Sequence, residues 1–99
     1  MEVVITGPAE KSLKEIYCRF EEHIAIKIIN KILDRAYTLK TFSNRGRIVD
    51  ELILLNQNHR YLIEGNYKII YKQKDNIVFV TDVFEMSKDP AKIKSKHQP

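Results

Sequence analysis

Val3, Val4 and Ile5 form a short β-branched run that stops at Thr6-Gly7-Pro8, where a proline cannot continue a hydrogen-bonded ladder. This pattern predicts an opening strand. Leu13, Ile16, Tyr17, Phe20 and Ile24 then recur at helical spacing, with Pro8 near the start and Glu10 in the first turn, where a carboxylate complements the helix dipole. Ala25, Ile28, Ile29, Ile32, Leu33, Ala36 and Leu39 keep the helical period, but their stripe is rotated by roughly a third of a turn from the first at ~100° per residue. One straight helix would leave part of this surface off the core. The spacing therefore predicts a break near 21–24 and a helical hairpin with a very short connection. Because no Gly or Pro marks the break, a single bent helix is the alternative.

From Thr41 to Gly46 the chain turns polar and the helical period ends, which predicts a loop. Ile48 to Leu55 is apolar around Asp50-Glu51 and too short for strand and helix to be separated by period. Arg60–Glu64 and Tyr67–Lys72 read as two strands joined at Gly65-Asn66, with both turn residues supplying positive φ angles. After a turn at Lys74-Asp75-Asn76, the run Ile77–Phe84 is apolar almost throughout, as suits a central strand buried on both faces, and Pro90 ends regular structure. The order predicts an α+β domain: an N-terminal strand, a two-helix hairpin, then a small antiparallel-rich sheet of about three further strands.

The hairpin register decides which side chains can act together. If Gly65-Asn66 is a two-residue turn, Glu64 faces Tyr67, Leu62 faces Ile69 and Arg60 faces Tyr71, so Arg60 and Lys68 lie on opposite sides of the sheet. A longer turn or a bulge would unite them. Lys68 and Lys72 share a face in either case.

The 99 residues hold 17 Lys plus Arg against 13 Asp plus Glu, a net +4, with 43% hydrophobic residues. That is material for one core. No apolar run approaches the roughly 20 residues that a bilayer span needs, and the N-terminus shows no signal-like segment. Cys18, the single cysteine, cannot build a disulfide framework, and a cytoplasmic location is expected. Lys88, Lys92, Lys94 and Lys96 against Asp89 give residues 86–99 a net +3, which leaves +1 for the rest. A single domain over 1–90 and a basic tail over 91–99 follow. Such a tail suits a polyanion or an acidic protein segment, or serves only to solubilise.

Candidate chemistry is sparse. His23, His59 and His97 have no metal-ligand spacing with one another or with Cys18, so neither metal nor cofactor is expected. No Gly-rich phosphate loop, nucleophile elbow or zinc-finger pattern is present. Tyr67, Ile69 and Tyr71 alternate as a core face should, and base stacking is the lesser reading. Arg47, beside Gly46, suits a phosphate contact or a helix cap; Glu51 suits a general base, a partner contact or an ordinary ion pair.

Taken in order, Pro8-Ala9 with Leu13 and Ile16, then Gly46-Arg47-Ile48-Val49-Asp50-Glu51-Leu52, Asn66-Tyr67-Lys68-Ile69-Ile70-Tyr71 and Val83-Phe84 through Asp89-Pro90, the chain resembles the ParE/RelE toxins of type II toxin-antitoxin operons, which include plasmid stabilisation proteins. The resemblance implies a compact helical hairpin on a small sheet, growth arrest by the free toxin, and neutralisation by a cognate antitoxin, here expected to be acidic and partly disordered. A homodimer stays open. ParE-like members poison DNA gyrase, whereas RelE-like members cut mRNA on the ribosome. The nuclease-like signature often places His or Arg in and after the last strand; here Phe84-Glu85-Met86-Ser87-Lys88 offers an acid and a serine, and Lys68 stands where many relatives carry Arg. A gyrase-directed toxin is the first expectation. The alternatives are a metal-independent endoribonuclease and a non-toxic antitoxin-binding module. Catalytic candidates are Arg60, Lys68, Tyr71 and Glu51; target-binding candidates are Arg47, Lys68, Lys72, Lys88 and Lys92.

Overall fold

A computed structural model describes residues 1–41, 47–48 (as backbone) and 59–86 of the chain. Strand β1 (Glu2–Ile5) leads into helices α1 (Gly7–Arg19) and α2 (Glu22–Tyr37) and a short 3-10 turn (Thr38–Lys40). Strands β2 (Arg47–Ile48), β3 (Arg60–Glu64), β4 (Tyr67–Lys74) and β5 (Ile77–Glu85) follow. The sheet order is β1-β5-β4-β3-β2, with β1 parallel to β5 and the other neighbours antiparallel. The α+β architecture is the expected one. It has one strand more than the three expected after the helices, because the two-residue β2 pairs with β3. The 42–46 loop, the ambiguous stretch beyond Ile48, Pro90 and the tail lie outside the described residues.

The helices form a hairpin, not one bent rod. Phe20 (φ −116°, ψ 163°) and Glu21 (φ −56°, ψ 146°) are both extended, so two residues separate the helices. Neither needs a glycine, since negative φ with extended ψ is open to any residue. The break falls at the leading edge of the expected interval. Ile24 consequently belongs to α2, where it is exposed. Tyr17 is also exposed, because its hydroxyl donates to Glu22 Oε1 at 3.0 Å across the connection. The two-residue connection thus takes Ile24 off the apolar stripe expected of the first helix, and Tyr17 stays on α1 outside its buried face.

Thr6 joins β1 and α1 to the sheet. Its N–H and its hydroxyl both donate to the Val80 carbonyl, at 3.1 and 2.8 Å, and its own carbonyl accepts from Glu10 N–H at 2.9 Å. Ala9, Ile16, Ile32, Ala36 and Leu39 then meet Tyr67, Ile69, Tyr71, Val78, Val80 and Val83 in one core between the helices and one face of the sheet. Each fully buried Ile or Val contributes about 1.5–3 kcal/mol relative to its exposed state. Ala9 and Ala36 are buried within the core.

β5 carries a bulge. Ile70 pairs with Asp82 and Tyr71 with Val80, so Thr81 is an extra residue on β5. Strict alternation would turn Val83 away from Val80; with the bulge, both join the helix-side core. Asp82, between them, also reaches α1. The buried Asp82 carboxylate accepts from the Ser12 hydroxyl at 2.7 Å and from Val83 N–H at 2.9 Å.

Candidate functional site

The β3–β4 hairpin has the two-residue register. Glu64 pairs with Tyr67, Leu62 with Ile69, and Arg60 with Tyr71. Positive φ is carried by Gly65 alone (57°), not by Gly65 and Asn66 together as the turn sequence suggested; one residue at the first loop position suffices to reverse the strands. The catalytic candidates are thereby separated. Tyr71 is buried in the helix-side core and Arg60 stands in the same cross-strand column, whereas Lys68 is on the other face. There Lys68 Nζ lies 4.6 Å from the centre of the Tyr61 ring, a cation–π contact, and Lys72 follows four residues along on the same face. Arg47 stands opposite Tyr61 in the β2–β3 register. Glu51, Lys88 and Lys92 lie outside the described residues, as does His97. His23 is exposed and His59 is buried; among the described residues no group of three or more His, Cys, Asp or Glu is placed to hold a metal.

A second feature was not legible in the sequence. At the end of the sheet where β3 turns into β4, the hairpin faces the lower half of α2 across a cleft of about 310 Å³. Phe20, Ile28, Ile32 and Tyr67 supply its apolar lining, with Lys31, Glu64 and Glu85 at the polar margin. A shallower hollow continues along Lys31, Asp34, Arg35 and Thr38.

Both acids of this cleft are held by arginines from the helices. Arg19, at the C-terminal end of α1, grips Glu85 with two nitrogens, the Nη2–Oε1 bond being 2.7 Å, and the Glu85 side chain is only 10% exposed. This fork pushes the Arg19 pKa upward, through the hydrogen bond first and the carboxylate's charge second. The acid in the last strand is thus a structural tie to the helical hairpin. Arg35 Nε approaches Glu64 Oε1 at 3.8 Å, a looser pair with 45% of the Arg35 side chain exposed. Tyr67 sits between these acids. Burial, reinforced by the negative charge of Glu85 and opposed by Arg19, pushes its phenol pKa up. Arg19 and Glu85 are 66 residues apart in the chain, so no local spacing signals them.

A helical hairpin laid across one face of a mixed sheet closed by parallel pairing of the first and last strands is the layout of the ParE/RelE-type toxins. The chain belongs to the family described as ParE toxin of the type II toxin-antitoxin system parDE, whose model matches residues 3–90. A solved structure titled "Chromosomal ParDE TA system from P. aeruginosa" is similar in fold, with TM-score 0.70 and 17% identity over 86% of this chain and 95% of that one. Among curated proteins, none matches the sequence significantly. No helix among the described residues is long and apolar enough to cross a membrane.

Proposed function

We propose that this ParE-family toxin arrests growth by binding DNA gyrase in the cytoplasm, and that a cognate antitoxin neutralises it. In this reading residues 1–90 are the toxin domain and 91–99 a basic tail that assists target contact. One observation carries the choice of a binding toxin over a nuclease: the hairpin register sends Arg60 and Tyr71 to one side of the sheet and Lys68 to the other. Metal-free RNA cleavage needs a base for the 2′-OH, an acid for the leaving oxygen and cations at the phosphorane, all at one phosphate. Tyr71, 1% exposed, has no route to such a phosphate. What remains on the other face is Lys68 and Lys72, both partly exposed, with Tyr61, a cationic and aromatic group suited to contact.

The test is induction in growing cells followed by two assays. Inhibited supercoiling by purified gyrase with intact cellular messages is the expected result. Cuts inside translated codons, mapped by primer extension while supercoiling is unaffected, would overturn it in favour of the nuclease, and normal growth at high expression would favour a non-toxic binding module.

A further inference from the structure

The cleft between α2 and the β3–β4 turn has an uneven electrostatic state. Its acids are engaged: Glu85 is gripped by the Arg19 fork, and Glu64 is approached by Arg35. Its one lining lysine is not. Lys31 stands exposed at the margin and Lys27 is exposed one turn earlier on the same flank of α2; among the described residues neither enters an ion pair. Below them lies the apolar lining of Phe20, Ile28, Ile32 and Tyr67. Arg19, Lys27, Lys31 and Arg35 outnumber Glu64, Glu85 and the adjoining Asp34 by one, and this positive surplus over an apolar floor is the complement of an acidic segment carrying apolar anchors.

We infer that this cleft takes an acidic, apolar-anchored segment of the antitoxin, and that docking proceeds by ion-pair exchange, Arg35 releasing Glu64 to take a carboxylate of the incoming chain. The inference rests on the antitoxin reading above and adds the place, the chemistry and a competing group within the toxin. Exchange at Arg35 is easy because its pair with Glu64 is long and half in water, and exposed pairs of this kind contribute little. The Arg19 fork does not exchange. Its bidentate geometry and its nearly buried partner keep it as the fixed wall of the cleft. Glu64 is therefore a built-in competitor, which makes an unusual demand: removing an acid from the toxin improves its grip on the partner.

The probe is the protein encoded by the open reading frame adjoining the toxin gene, titrated calorimetrically into the purified full-length toxin. Lys31→Glu should weaken binding about tenfold or more, Glu64→Gln should tighten it, and Lys72→Glu on the far face should leave it unchanged. Circular dichroism checks that each variant is folded. In the wild-type complex, amide exchange should slow at 64–67. Equal affinity for all variants, with no protection at 64–67, would overturn the inference while leaving the antitoxin reading intact. No binding by the wild type would overturn that reading, and this inference with it. Self-association of the partner-free toxin that Lys31→Glu abolishes would assign the cleft to a second copy and also overturn it.

Discussion

Ser12 and Asp82 are 70 residues apart in sequence and meet inside the protein. A buried carboxylate costs several kcal/mol of lost hydration unless hydrogen bonds replace the water, and here the Ser12 hydroxyl is one of those bonds. Ser12→Ala should lower the unfolding free energy by about 1–3 kcal/mol in urea denaturation, because it leaves a buried acceptor short of a donor. A second residue-scale consequence concerns Tyr67, whose phenol pKa is raised above the ordinary 10.0 by burial and by Glu85. The folded state then holds this proton more tightly than the unfolded chain. Its contribution is fully present below pH ~10 and is lost as pH rises through the folded value. Ultraviolet titration should show the late-ionising component lose one tyrosine in Tyr67→Phe, and the same substitution should flatten the alkaline loss of stability.

At the scale of elements, the hairpins depend on single loop positions. A Cβ added at Gly65 would meet nothing within 4 Å, yet its φ of 57° is one that L side chains adopt at a cost. Gly65→Ala should therefore destabilise by about 1–2 kcal/mol through backbone strain alone, and Gly65→Asn by less, since Asn tolerates the left-handed region better. Chemical denaturation of the pair separates this account from a steric one, which would rank the larger Asn as worse. Asp75 already shows such tolerance in the β4–β5 turn, at φ 57°. The helical connection works differently. It uses two ordinary extended residues, so its position was readable from the rotation between two apolar stripes and not from any breaker residue.

For the whole molecule, the first strand closes the sheet against the last, which makes the native state dependent on contacts spanning nearly the entire chain. A partner that binds only the folded form adds to this. At a free antitoxin concentration 100 times its dissociation constant, the toxin should gain about 2.7 kcal/mol, seen as a rise in Tm by calorimetry. An unchanged Tm on mixing would count against neutralisation by direct binding. Lys68 and Lys72 lie on one face of the sheet and the cleft beside α2 on the other.

The chain's own pattern determined most of the elements and favoured the hairpin of helices, because these follow from periodicity. The β3–β4 register, and with it the separation of Arg60 from Lys68, stood open between a two-residue turn and a longer or bulged one, and the structure decided it. Ile77–Phe84 was readable as an interior strand from its apolar run. Its bulge was not, because in an almost uniformly apolar run an extra residue at Thr81 leaves no break in period. The cleft and its two arginine clasps were decided only in three dimensions. Ion pairs such as Arg19 with Glu85 form between the ends of elements distant in the chain, and folding, not spacing, brings those ends together.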